Sequence, residues 1–248
     1  MVIAAHGFFG TSCITALTVQ STVGVRSIHP IEIKILRASL ECLDEDLPPA
    51  GIKIGMLGST PAVEVVADYL ARVRSRHPRI PVVLDPVVRS SSGRELLPLE
   101  GLAALRSRLS PLVDWLTPNM SELSVLTGHP AESREEVEAA ARVLLRDHPG
   151  VTVLATGGHL NPPDDLLAMK TGEIVWLPGE LIQTTSTHGT GCALSSALLC
   201  SLVRGDSPQA AAKAAKSYVA GALRQATPIG HGNGPMNHLW PLRTAQRR

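Results

Sequence analysis

Short apolar runs recur along the chain with turn residues between them: SCITALTVQ (12–20), GIKIGML (51–57), PVVLD (81–85), VDWLT (113–117), VTVLA (151–155) and EIVWL (173–177). Several are unbroken in Val, Ile and Leu, the pattern of strands covered on both faces. Helix signals fall between the runs. Thr60-Pro61 puts proline at the first helical position. Ser133 and Glu136 make a capping box ahead of VEAAARVLL. Ser207-Pro208 opens the alanine-rich AAAKAAKSYVAGALRQA, a segment of high helix propensity. Strands alternating with such helices predict an α/β fold, with a mostly parallel central sheet and helices on both faces. There is no internal repeat and no long linker, so residues 1–248 are read as one domain.

In folds of this class ligands collect beyond the carboxyl ends of the strands. The chain puts polar and turn-forming residues there: Asp85-Pro86, Thr117-Pro118-Asn119, and Thr156-Gly157-Gly158-His159. Each taken singly is also an ordinary turn. Composition narrows the partners. A net charge of +1 and 3% aromatic residues give neither a basic patch nor stacking platforms for nucleic acid. No run of apolar residues is long enough to span a membrane. No Lys or Arg precedes Arg26, against a signal peptide. Cys13, Cys42, Cys192 and Cys200 show neither a CxxC pair nor zinc spacing, which predicts reduced thiols and a cytoplasmic setting.

One stretch carries more chemistry than the rest. Residues 187–205 read THGTGCALSSALLCSLVRG, with Gly189, Thr190, Gly191 and Cys192 crowded into the start of an apolar helix. Glycines let several backbone N–H groups converge, and the helix N-terminus adds partial positive charge. An anion, phosphate above all, suits that place, and a cysteine there has its thiolate favoured. The competing reading of Cys192 is a small core residue.

These stretches resemble the hydroxymethylpyrimidine/phosphomethylpyrimidine kinases of thiamine biosynthesis, in the ribokinase-like superfamily. The matching segments are ITALTVQSTVGV (14–25), GIKIGMLGS (51–59), VVLDPVVRSSSGRELL (82–97), LTPNMSELSVLTG (116–128), GGHL (157–160), DDLL (164–167), THGTGCALSSAL (187–198) and IGHGNGPMNH (229–238). They run in family order across nearly the whole chain. The resemblance implies a three-layer ribokinase-like fold and an ATP- and Mg2+-dependent kinase. Its substrates would be 4-amino-5-hydroxymethyl-2-methylpyrimidine and then the monophosphate. Cys192 would be the catalytic base, with Gly189, Thr190 and Gly191 donating backbone N–H groups to the transferring phosphoryl. Asn119 would contact the nucleotide phosphates, Glu122 would serve Mg2+, and Gln20 and Met56 would hold the pyrimidine. Glu122 also reads as a plain first-turn carboxylate, and Gln20 as a strand-end cap. A homodimer is the assembly implied. Pyridoxal or pyridoxine kinase is the rival enzyme, and a non-catalytic ligand-binding paralogue the rival outside catalysis.

The chain departs from the family pattern twice. Relatives carry a strand ending in a GSDxSGGAG-type loop, then a helix whose end MVIAAHGFFG matches. The chain is therefore read as shortened at its N-terminus, either because it starts at an internal methionine, the favoured reading, or as a genuinely shortened paralogue, with an open sheet edge beside the strand ending at Gln20. Secondly, the family pattern has Lys before GGHL where this chain has Thr156. A hydroxyl contact from Thr156, with the Gly158 backbone, then takes the place of a charge at the nucleotide.

Overall fold

The computed structural model describes residues 1–90 and 93–245. In chain order its elements are α1 (Val2–Ala5), β1 (Ala16–Ser21), β2 (Gly24–Pro30), α2 (Ile33–Asp46), β3 (Ile52–Ile54), α3 (Thr60–Arg76), β4 (Val82–Leu84), α4 (Leu99–Ala104), β5 (Trp115–Leu116), α5 (Met120–Thr127), α6 (Arg134–Asp147), β6 (Thr152–Ala155), β7 (Asp165–Ala168), β8 (Ile174–Leu177), α7 (Thr190–Arg204), α8 (Pro208–Arg224) and α9 (Trp240–Ala245). A π-helical turn, Leu105–Leu109, and a 3-10 turn, Ser110–Leu112, continue α4.

Helix starts follow local capping chemistry. Ser59, Ser133 and Ser207 each accept a backbone N–H three residues on, and α6 closes the full capping box with Glu136. Asn119 and Glu122 do the same for α5, whose end is stopped by Gly128 in the left-handed region.

The main sheet has the order β3-β4-β5-β6-β7-β8. β3 to β6 pair in parallel, and β7 and β8 add an antiparallel edge. Alternate residues divide between two cores, as the period of a strand requires. Val82, Leu84, Leu116, Val153, Ala155, Leu166 and Ala168 face the side covered by α2 to α6. Val83, Trp115, Leu154 and Leu167 face the side covered by α1, α7 and α8. The three-layer arrangement follows directly from runs that are apolar on both faces.

Three readings need correction. The 12–20 run does not enter the main sheet. Only Ala16–Ser21 is a strand, and it pairs antiparallel with β2 in a separate two-stranded sheet. Leu17 and Val19 on it are 53% and 51% exposed, so an apolar run here is not a buried strand. Secondly, β2, β7 and α2 carry no recognised local signal. The apolar positions of α2 (Ile33, Leu36, Leu40, Leu43) have helical spacing, but only Leu36 is fully buried. Thirdly, the open sheet edge is at β3, not beside a sheet strand ending at Gln20. Among the described residues β3 has no partner on its outer side. A cavity of about 260 Å³ lies there, lined by Cys13, Thr15, Leu36, Leu40, Ile54 and Leu70 among others.

Candidate active site

The carboxyl ends of β3 to β6 and the start of α7 converge on one cluster. Gly189 caps α7 with φ of 81°, a left-handed conformation that a side chain would strain. Thr190, Gly191 and Cys192 follow in the first turn, which leaves their N–H groups free of helical partners. Cys192 is exposed and its carbonyl accepts from the hydroxyls of Ser195 and Ser196.

Asp85, at the end of β4, is the hub beneath this turn. It is 3% exposed. Lys53 Nζ from β3 lies 3.2 Å from Asp85 Oδ2, and Ser195 Oγ donates to the same oxygen at 3.2 Å. A side-chain carbon at Gly191 would meet Asp85 Oδ1 at 3.9 Å, so the carboxylate sits against the helix start. The Lys53 ammonium and the Cys192 thiol also act on each other electrostatically. Burial alone would lower the Lys53 pKa, but the charges of Asp85 and Cys192 outweigh it and leave it above the usual lysine value. Lys53 does not stand out as a site residue in the sequence reading, and Asp85 does so only as one of three polar strand ends, with no role assigned. The missed signal is a lysine in the middle of GIKIGML, where a charge is rarely buried unless paired.

The helix start does not by itself favour a thiolate. Burial, then the nearby Asp85 charge, push the Cys192 thiol up to about 11, against the opposing pull of Lys53. Water reaches Cys192 and softens the burial penalty, but the direction is upward. This is contrary to the expectation from the helix dipole alone.

Glu122 is 7% exposed at the start of α5. Its Oε2 accepts the Asn119 N–H at 2.9 Å, while Asn119 Oδ1 accepts the Glu122 N–H at 2.9 Å. Burial first, and Asp85 after it, push the carboxyl up to about 8 against the Asn119 hydrogen bonds. Thr156 lies beside Asn119 in an isolated parallel bridge, its N–H donating to the Pro118 carbonyl at 2.9 Å. The following loop is fixed from behind: Gly157 N–H donates to Asp165 Oδ1 at 3.0 Å, and Lys216 pairs with Asp165 at 2.7 Å. Gly158 is exposed at the mouth of that loop.

The separate two-stranded sheet closes the other side. Gln20 is exposed on β1 and its Nε2 lies 3.2 Å from His188 Nε2, next to Gly189. Thr22 Oγ1 accepts the N–H groups of His231 and Gly232, which latches the β1–β2 turn to the loop after α8. Met56 follows β3, half-buried, and its carbonyl accepts from Thr15 Oγ1 at 2.6 Å. His188 is a further residue that sequence alone did not select.

The donor set suits a magnesium ion. Two buried carboxylates, Asp85 and Glu122, act on each other across the site, and a cation between them would relieve that repulsion. Among the described residues no group of three His, Cys, Asp or Glu side chains could hold a metal alone. Mg2+ needs no such cage, because it keeps waters and takes phosphate oxygens. The hydroxyl of Thr117, beside Asn119, is buried with no partner among the described residues. No described helix is long and apolar enough to cross a membrane.

The phosphomethylpyrimidine kinase family model matches residues 1–237. A hydroxymethylpyrimidine/phosphomethylpyrimidine kinase of Haemophilus influenzae is 39% identical over 238 residues, covering 94% of this chain and 87% of that protein. The one from Streptomyces coelicolor is 37% identical and covers 96% of this chain and 86% of its own length. The crystal structure of phosphomethylpyrimidine kinase from Clostridium difficile aligns with a TM-score of 0.75 at 30% identity, over 88% of each chain. An ADP complex of Bacillus subtilis pyridoxal kinase aligns with a TM-score of 0.83 at 25% identity, over 98% of this chain and 90% of that one. With a glycine-capped helix start set against the Asp85 carboxylate at the end of β4, and likeness of this extent, the chain belongs to the phosphomethylpyrimidine kinase family.

Proposed function

We propose that this protein uses ATP to phosphorylate 4-amino-5-hydroxymethyl-2-methylpyrimidine and then extends the monophosphate to the pyrophosphate, in thiamine biosynthesis. The observation that supports this reading is the 3.2 Å approach of Gln20 to His188, the residue before the helix start at 189–192, in a chain with relatives of that activity. Cys192 takes the proton of the substrate hydroxymethyl group. The freed oxygen bonds the γ-phosphorus, the bond to the bridging oxygen breaks, and its electron pair leaves with ADP. The N–H groups of Gly189, Thr190 and Gly191 meet the charge on the transferring phosphoryl, in a fixed geometry that needs no reorganisation during transfer. Asn119, Thr156 and Gly158 hold the nucleotide, with the loop of Thr156 braced by Asp165. Glu122 would be the carboxylate partner of Mg2+, which would supply neutralisation of the phosphate oxygens.

Gln20 supplies both a donor and an acceptor, as the edge of an aminopyrimidine requires. Gln20→Leu is expected to raise the pyrimidine KM by roughly 10- to 100-fold, the cost of an unpaired polar group of about 1–3 kcal/mol. The KM for ATP stays close to wild type. Steady-state kinetics with each substrate varied reads the difference. Equal effects on both substrates would move Gln20 out of the pyrimidine site.

The whole reading is tested by ATP turnover with the pyrimidine, its monophosphate and pyridoxal offered in parallel. Preference for pyridoxal would favour the rival kinase. Nucleotide binding without turnover of any of the three would favour the ligand-binding paralogue.

A further inference from the structure

Lysine is rarely drawn into a protein interior unless a partner is waiting for it. On α8, Lys213 is exposed, but Lys216 turns inward with only 20% of its side chain exposed. Its ammonium lies 2.7 Å from Asp165 Oδ2, a carboxylate 10% exposed, and donates to the Pro163 carbonyl at 3.2 Å. A buried ion pair is weak evidence for stability, since an apolar pair often serves as well. What marks this pair is its further attachments. Asp165 Oδ1 accepts the Gly157 N–H at 3.0 Å, so one carboxylate ties α8 to the loop after β6. The preceding residue, Asp164, is also buried and accepts the Gly179 N–H at 2.8 Å. Asp164 pairs in turn with Arg134, whose guanidinium lies over the Trp176 ring at 4.2 Å.

Two glycines show how closely these parts meet. A side-chain carbon at Gly157 would collide with the Asp164 carbonyl. One at Gly179 would collide with the Pro163 carbonyl and stand 3.1 Å from Lys216 Nζ. Lys216 therefore sits between two stretches that run into the candidate active site: the loop at 156–158, and the start of the segment that leads from β8 to the Gly189 cap of α7. The loop needs support from behind. Two successive glycines leave its backbone free, and nothing lies within 4 Å of where a Gly158 side chain would be.

We propose that Lys216 is a positioning residue for the nucleotide: through Asp165 and the Pro163 carbonyl it fixes the loop that carries Thr156 and Gly158, so that the loop is in place before ATP arrives. The inference rests on the reading of Thr156 and Gly158 as nucleotide contacts, and goes beyond it by assigning the shape of that loop to a charge on α8. A loop already ordered spares the ordering that binding otherwise costs.

Lys216→Met is the first test, with Kd for ADP and for the pyrimidine each measured by calorimetry below the melting transition. ADP is expected to bind roughly 3- to 10-fold more weakly, the worth of one ordinary hydrogen bond at the nucleotide. The pyrimidine should bind as in wild type. Hydrogen exchange in the peptide covering 157–165 should speed up, while α3 keeps its wild-type rate. A lysine that only stabilises the fold would loosen both regions and weaken both ligands alike, and that result overturns the proposal. ADP binding within about twofold of wild type also overturns it. Should Lys216→Met not fold, the double variant Asp165→Asn/Lys216→Met decides. It leaves neither charge of the pair and keeps an amide oxygen for the Gly157 N–H, yet the Pro163 carbonyl still lacks its donor. Selectively weaker ADP binding there supports the proposal, and wild-type ADP binding overturns it. Thr156→Ala separates the proposal from the reading beneath it. ADP weakened by Thr156→Ala but not by Lys216→Met removes Lys216 alone. Wild-type ADP binding in both removes the loop from the nucleotide site as well.

Discussion

Turnover is expected to fall by about 10²–10⁴ in Cys192→Ala, the usual loss when a positioned general base is removed. Nucleotide affinity should persist. The backbone N–H groups of Gly189, Thr190 and Gly191 do not depend on the side chain at 192, and the sulfur fills no core space, since the residue is exposed. Cys192→Asp is expected to recover part of the lost rate, because a carboxylate also accepts a proton. Its recovery is limited by Asp85 next to it, which resists a second negative charge in the same site. The measurements are kcat with the pyrimidine and the Kd for ADP by calorimetry. If Cys192→Ala turned over at the wild-type rate, Cys192 would be a bystander at the helix start and the base would have to be sought elsewhere.

How much of this was readable from sequence depends on the range of each interaction. Helix starts at Ser59, Ser133 and Ser207 are legible because donor and acceptor lie within four residues. The runs at β4 and β6 are legible because burial writes itself into composition. The 12–20 run has the same composition but a different fate, since its pairing is with β2 and it packs outside the sheet. β7 has buried residues throughout yet begins with Asp165, which serves the Gly157 loop, and that polar start hides it. In the site, Cys192, Asn119 and Glu122 are marked by local motifs. Asp85 shows only as a polar strand end and Lys53 as an incidental charge, until the parallel pairing of β3 with β4 brings them together. Composition cannot show that one lysine in an apolar run has its partner on the neighbouring strand.

Glu122 gives an expectation in which stability and activity move in opposite directions. Its carboxyl is buried and is pushed up to about 8 in the folded chain, against 4.5 in the unfolded one. A raised folded pKa means that the native state prefers the protonated form. The stability this group contributes is therefore whole below about 4.5 and is lost progressively as pH rises through 8. Ionising it at pH 9 costs the fold on the order of a few kcal/mol. Glu122→Gln removes that titration and keeps a hydrogen-bonding side chain for the Asn119 N–H, since Gln serves a capping box as Glu does. In EDTA at pH 9 the variant should melt higher than wild type by on the order of 5–10 °C, and the advantage should vanish near pH 5. Turnover should go the other way. Losing a carboxylate that serves Mg2+ typically lowers metal affinity or activity by about 10- to 100-fold, so the variant should need more Mg2+ for half-maximal rate. Melting curves at pH 5 and 9, with Mg2+ titrations of the rate, read both effects. Equal melting temperatures at pH 9 would show that Glu122 is readily ionised in the free protein, and an unchanged Mg2+ dependence would remove it from the metal's surroundings.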